Sequence, residues 1–430
     1  MRSRALDLIN YVAVFAIFCG GLSFSDAYFM ELRASYLIMF VAFILIVPFL
    51  GEIYFNRTFL LIFFALSFFS VFNIFIGRDS AALFSKQFIG ILLNAFFFYL
   101  LIRVNDCDTK RLFRVYLNIA FVVALIGVVQ EASYLLRFEP GYDFHGWLPK
   151  WGIVNSIRGN FLRVNSILPE PSFFCIVMMP AFFTSMASLS HNGVKLMSGW
   201  KSAIIVISVF LAFSATGYVG FLCATFLLLV NHYRKHHVAA YAILICLLFY
   251  MVYNNVYEVR VRIDDSADVL RGRTTLANAN PSTNSLFANA LVAYNSFKAN
   301  PAFGSGLGSH KVSYEKYIGD IRGDDSEYVD MINREDAASL FLRLVSETGL
   351  LGVLLFFIFI FKFYISRKRD PTGYLWIISN AALVMFLLKL LRMGHYFVDG
   401  LFFFLWIYYF AKMELKKGAE EPCPAALKRT

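Results

Sequence analysis

The chain has 430 residues, of which 59% are hydrophobic and 16% charged, with 49 phenylalanines and a formal net charge of +10. Soluble domains are about half apolar and about a quarter charged, and they must cover their surface with polar groups. This composition excludes a soluble globular enzyme, a disulfide scaffold and a disordered chain, and leaves a polytopic membrane protein. The six cysteines form no CxxC pair and read as small hydrophobes in helices.

A membrane span needs about 20 apolar residues, with a range of roughly 17 to 25. In chain order, spans are predicted at 8–25, 34–50, 58–76, 82–102, 112–136, 172–189, 201–214, 216–231, 238–254, 339–364, 374–392 and 395–411. The apolar stretch after Met1 to Arg4 runs on without a small-residue cleavage site, so it is expected to be a first span rather than a signal peptide. The run from Lys201 to Val230 is divided at Ser214-Ala215-Thr216-Gly217, and 82–102 is amphipathic through Lys86, Gln87 and Asn94.

Lys and Arg placement orients these spans. With the N-terminus inside, inner loops hold clusters such as Lys110-Arg111, Arg234-Lys235 and Arg367-Lys368-Arg369, and the tail adds Lys412, Lys416 and Lys417. Both termini are therefore expected in the cytoplasm. The positive excess belongs mostly to these loops, and no nucleic acid partner is expected. Two long connections emerge on the other side, a first periplasmic loop at 137–171 and a second, larger one at 255–338. Apolar spacing at Leu286, Ala290, Ala293 and Phe297 predicts a helix within the second.

Both loops are polar and rich in arginine. The first holds Arg137, Lys150, Arg158 and Arg163; the second holds Arg260, Arg262, Arg271 and Arg273, partly offset by acids such as Asp324 and Asp325. Arginine grips phosphate bidentately, so the pairs Arg158/Arg163 and Arg271/Arg273 suit a lipid-linked diphosphate if they converge. Pro169 and Pro171 fix an extended turn around Glu170, with Ser172 as the expected helix cap. The turn Asn300 to His310 carries Gly304, Gly306 and Gly308, and it either brings His310 and Lys311 to a specific place or is simply a turn. No strand precedes it, so it is not a dinucleotide fingerprint.

Asp336, Arg343 and Glu347 are spaced seven and four apart, one face of a helix entering the bilayer. Charges there default to functional candidates, the bland alternative being an Arg343–Glu347 pair that locks packing. Lys389, Arg392, His395 and Asp399 crowd the last hairpin, where Asp399 is expected to orient His395 or pair Arg392. The seven histidines lack metal-ligand spacing and no Walker motif is present, so neither metal nor cofactor is expected.

The stretch Arg158, Arg163, Ser166, Glu170, Pro171, Ser172, followed by SATGYVG, NPAFGSGLG and SLFLRLVSETGLLG, resembles the bacterial O-antigen polymerase (Wzy-type) family. The related O-antigen ligases share the frame but carry a His-Asn pair before the Glu-x-Gly-Leu stretch, where this chain has DAASLFL. The resemblance implies an all-α polytopic membrane protein of about twelve transmembrane helices, GT-C-like, in the bacterial inner membrane. It implies metal-independent glycosyl transfer from undecaprenyl diphosphate to a lipid-linked repeat unit at the periplasmic face. On that basis Glu170, Asp336 and Glu347 are candidate bases. Arg158, Arg163, Arg271, Arg273, Arg343, Arg392, His310 and His395 are candidate diphosphate and substrate contacts. The lipid bilayer, the lipid-linked oligosaccharide and a chain-length regulator protein are the implied partners. The alternatives are an O-antigen ligase acting on lipid A-core, and a lipid-linked oligosaccharide flippase, which would place its charges near the midplane and often show repeats.

Overall fold

The computed structural model describes residues 2–24, 33–51, 57–146, 148, 156–190, 194–232, 238–322 and 333–420. Lys150, Arg234, Lys235, Asp324 and Asp325 lie outside these. Twelve helices among the described residues overlap the twelve predicted segments, with α1 ending early and α15 starting late: α1 (Arg2–Phe15), α2 (Ala34–Ile46), α3 (Arg57–Phe75), α4 (Ala81–Val104), α5 (Thr109–Leu135), α6 (Pro171–Leu189), α7 (Gly199–Leu211), α8 (Ala215–His232), α9 (Val238–Asn255), α13 (Leu340–Phe363), α14 (Tyr374–Leu391) and α15 (Leu401–Glu420). Between α9 and α13 lie α10 (Tyr257–Leu270), α11 (Pro281–Ala299) and α12 (His310–Arg322), and α11 covers the predicted loop helix. Five helices, α4, α5, α6, α13 and α14, are long and apolar enough to cross a membrane by length and composition, and shorter apolar helices stand beside them. The protein is an all-α polytopic membrane protein.

Helices α6 and α14 form the centre and are buried along most of their length. The periphery is apolar too: Leu61, Phe64, Phe68 and Phe75 of α3 are exposed, a surface that suits lipid rather than water. Pro180 sits inside α6 and cannot donate its backbone hydrogen bond. One residue on, the Tyr116 hydroxyl of α5 enters the ladder. It donates to the Val177 carbonyl at 2.7 Å and accepts from the Ala181 N–H at 3.2 Å.

The split between α7 and α8 occurs where predicted. The chain turns at Phe213, with φ of 41°, and the Leu211 carbonyl accepts from Val164 N–H of the first loop at 3.1 Å. A second break was not predicted. Gly349, with φ of 57° and ψ of −154°, interrupts α13. The Pro301–Gly306 turn fills the gap: Ser305 and Gly306 N–H donate to the Ser346 and Glu347 carbonyls, and Leu350 and Leu351 N–H donate to the Pro301 and Ala302 carbonyls, at 2.9–3.0 Å. Non-helical backbone inside a membrane protein is tolerated where such partners exist. A Cβ on Gly349 would lie 2.6 Å from Gly304 N and 2.8 Å from the Pro301 carbonyl oxygen, so only glycine fits.

The first loop ends in a short hairpin, β1 (Ile157–Arg158) and β2 (Phe161–Leu162), paired antiparallel with Arg158 opposite Phe161 and turning through Gly159 and Asn160. Buried side chains of α5 anchor it. Leu162 N–H donates to the Glu131 carboxylate at 3.1 Å, and Ser166 N–H to the Gln130 side-chain oxygen at 2.9 Å.

Candidate functional site

The two loops, the α3–α4 turn and the α14–α15 turn gather at one end of the helix bundle. There the structure brings together three half-buried guanidiniums from three segments. Arg163 follows the hairpin, Arg262 lies on α10, and Arg392 caps α14. Arg262 donates to the Ser282 hydroxyl at 3.2 Å and Arg392 to the Ser282 carbonyl at 3.4 Å, so the first turn of α11 ties these two together. Arg163 Nε is buried and has no hydrogen-bond partner among the described residues. Burial lowers Arg262 to about 10, and the charges of Arg392 and Arg163 push the same way while Glu258 and Glu170 oppose. Burial lowers Arg392 as well, against the charges of Asp336 and Glu170. Three guanidiniums and three carboxylates, Glu258, Glu170 and Asp336, therefore share one field.

Arg262 was not singled out from the sequence, since nothing in VRVRIDD separates it from the solvated charges around it. The signal available was only its place on a helix continuing from a span.

Glu258 is engaged by Arg158, and the other two carboxylates differ from each other. Glu170 is exposed; it begins α6 as the N-cap residue in an extended conformation. The expected capping role of Ser172 is not seen. Ser172 lies inside the first turn and donates instead to Glu170 at 3.1 Å, because Pro171 already occupies the first helical position. Asp336 is buried and precedes α13, whose cap is Ser339; the helix face proposed for Asp336, Arg343 and Glu347 therefore starts too late to include it. Positive φ at Asn333, Ala337 and Ala338 folds this stretch into a tight turn against the 393–396 segment. Met393 N–H donates to the Ala338 carbonyl at 2.8 Å. A Cβ on Gly394 would fall 1.5 Å from the Asp336 carbonyl oxygen, so glycine is required for the two turns to meet.

The last hairpin is wired differently from the expectation. Asp399 pairs with Lys389 at 3.1 Å, both buried, and not with His395 or Arg392. His395 instead faces Asp336, with Nε2 3.4 Å from Oδ2. His395 and Asp399 lie in an irregular turn before α15 rather than on its first turns, and positive φ at Met393 and Asp399 accounts for the late helix start.

Three other predicted residues are interior. Arg343 Nε donates to Glu347 Oε1 at 2.9 Å, with side chains 1% and 0% exposed. The Gly394 carbonyl takes a second Arg343 N–H at 3.1 Å, the Tyr396 ring lies 4.3 Å from the guanidinium carbon, and the Tyr396 hydroxyl donates to Glu347 Oε2 at 2.9 Å. Both Glu347 oxygens are thus engaged. His310 is fully buried between Ser346 Oγ at 2.8 Å and Asn289 Oδ1 at 2.9 Å. Burial, with Arg343 nearby, lowers its pKa to about 3, so it is a neutral packing histidine.

Arg271 and Arg273 are exposed beyond the end of α10, and Arg273 stands 3.7 Å from Asp268, so the second arginine pair does not join the cluster. Arg158 flanks the cluster but is engaged by Glu258 at 2.7 Å and lies over the Phe213 ring. Below, Glu335 bridges Lys311 at 2.9 Å and Lys86 at 3.3 Å; burial works against its charge, but the two ammoniums prevail and hold it down to about 2.

An apolar cavity of about 360 Å³ opens between α3, α4, α13 and α15. Phe59, Phe63, Phe96, Phe356 and Phe359 line it, and it reaches up to Leu307, Leu344 and Tyr396 beneath the polar end.

No curated protein matches the chain. A family whose description is O-antigen ligase matches residues 202–357, from α7 into α13, which include Arg262, Asp336, Arg343 and Glu347. Such a family suggests a glycosyltransferase-like enzyme. Residues 202–357 are therefore similar to the O-antigen ligase family, a likeness consistent with the O-antigen ligase and polymerase superfamily of surface polysaccharide assembly.

Proposed function

We propose that this protein is a surface polysaccharide polymerase of the bacterial inner membrane. In this reading it moves a growing glycan from undecaprenyl diphosphate to the terminal sugar of a lipid-linked repeat unit, at the periplasmic face. The observation that carries the reading is the gathering of Arg163, Arg262 and Arg392 around Glu170 and Asp336 at the loop end of the bundle. In the transfer, the acceptor oxygen bonds to the anomeric carbon of the donor as the carbon–oxygen bond to the diphosphate breaks. The departing diphosphate takes the electron pair, and fixed guanidiniums in a poorly hydrated site stabilise that charge. The acceptor hydroxyl must lose a proton to a group within reach. The Phe-lined cavity suits a prenyl chain entering from the bilayer.

The absence of the His-Asn pair in DAASLFL favours polymerase over ligase. Arg163→Gln, Arg262→Gln and Glu170→Gln, expressed in a strain lacking the chain, test both. We expect normal protein levels and loss of long-chain polysaccharide with a single capping repeat retained. Loss of the single repeat as well would point to the ligase or a flippase. An unaltered ladder in all three variants would overturn the assignment.

A further inference from the structure

We propose that His395, held by Asp336, accepts the proton of the acceptor hydroxyl in this transfer. The inference rests on the proposed glycosyl transfer and names a residue for its proton step. Three observations carry it. First, His395 comes from the α14–α15 turn and Asp336 from the turn before α13, and the Met393–Ala338 backbone bond and the Gly394–Asp336 contact fasten the two turns together. The pairing is therefore built by the fold and does not rest on two long side chains meeting. Second, the His395 side chain is 19% exposed while Asp336 is 3% exposed. Of the two, the imidazole is the one a substrate can reach. Third, Asp336 also bears on Arg392, and Arg392 shares Ser282 with Arg262, so the dyad borders the cationic cluster.

The contact is 3.4 Å and is not aligned as a hydrogen bond, since Asp336 Oδ2 has no hydrogen-bond partner among the described residues. Catalytic hydrogen bonds are often long before substrate binds. A carboxylate beside Nε2 favours the tautomer protonated there, which leaves Nδ1 as the acceptor. Nδ1 makes no hydrogen bond among the described residues.

The acceptor O–H proton passes to Nδ1 as its oxygen bonds to the anomeric carbon, and the imidazolium then returns the proton to the released diphosphate. Burial lowers the His395 pKa, Asp336 opposes this, and Arg33, Arg343 and Lys389 reinforce it, so the ring enters the step in its neutral form, with the proton held only as the transfer proceeds. Asp399 faces the same region but is neutralised by Lys389.

The test uses the full-length protein in membranes and, as substrate, the lipid-linked repeat unit that accumulates in a strain lacking the chain. His395→Gln should lower the initial rate about 100-fold or more, the ordinary contribution of general base catalysis. Asp336→Asn should lower the rate and move the acid limb of the pH profile to lower pH, because it removes the charge that raises His395. Level and detergent melting of both variants are read alongside. If His395→Gln keeps the rate within a few-fold and the acid limb in place, the proposal falls. If Asp336→Asn leaves the limb unmoved, the proposal also falls. Should that happen while Arg163→Gln still abolishes elongation, only the proton assignment is lost; if Arg163→Gln is also silent, the glycosyl-transfer reading is lost with it.

Discussion

Glu347→Gln separates a structural carboxylate from a chemical one. The replacement keeps the volume and one acceptor oxygen for Arg343, turns the group facing the Tyr396 hydroxyl into a donor, and removes the charge. Arg343 would then be a cation that is 1% exposed and lacks its partner at 2.9 Å. Removing one member of a buried ion pair costs about 3–5 kcal/mol. Here the Gly394 carbonyl and the Tyr396 ring remain against the guanidinium, and Asp336 contributes a more distant negative charge, so the lower end, about 3 kcal/mol, is expected. For a chain of this size that is a fall in melting temperature on the order of 5 °C. The assay is thermal unfolding of the detergent-solubilised full-length protein, read by size exclusion after heating. The double variant Arg343→Met, Glu347→Gln removes the orphan charge and should recover most of the loss. An unchanged melting temperature in Glu347→Gln together with lost polymer would refute the argument and return Glu347 to the chemistry.

Three more outcomes follow from the packing. Tyr116→Phe leaves the Val177 carbonyl and the Ala181 N–H without the hydroxyl that bridges them, and the melting assay should register a loss of about 1–3 kcal/mol. Gly394→Ala drives a methyl into the Asp336 carbonyl oxygen, so protein level and polymer should fall together, whereas alanine at the open Gly272 turn should show only the milder effect of its positive φ. His310 has an ordinary pKa of 6.5 and a folded value of about 3, so the unfolded chain takes up the proton first as pH falls. Its contribution is complete above pH 6.5 and is lost as pH drops through the window toward 3; melting temperatures at neutral and mildly acidic pH should converge in His310→Gln relative to wild type.

The helices were legible because a long apolar run has few alternatives. The α7–α8 split was legible because SATG is short and weakly helical. Partner choice among charges was not. Lys389 and Asp399 are ten residues apart, on either side of a turn whose positive φ values have no sequence signature apart from Gly400. Sequence spacing suggested neighbours on one helix, and the chain is not helical there. The arginine pairs show the same limit. RGNFLR and RGR look alike, yet the first lies against α5 and α7 through buried anchors while the second is exposed past the end of α10. The break at Gly349 was hidden because LVSETGLLGV reads as continuous helix unless the distant Pro301–Gly306 turn is known to enter it.

That insertion also bears on how the molecule is made and how it can be cut. The turn that completes α13 precedes it in the chain, so the later helix has partners for the Ser346 and Glu347 carbonyls and the Leu350 and Leu351 N–H groups only when the segment between α9 and α13 is docked against it. The segment between α9 and α13 is therefore not an appendage that can be excised or exchanged while a bundle is left intact. Shortening it would uncap a helix inside lipid, and the resulting failure would look like defective insertion rather than lost recognition of sugar.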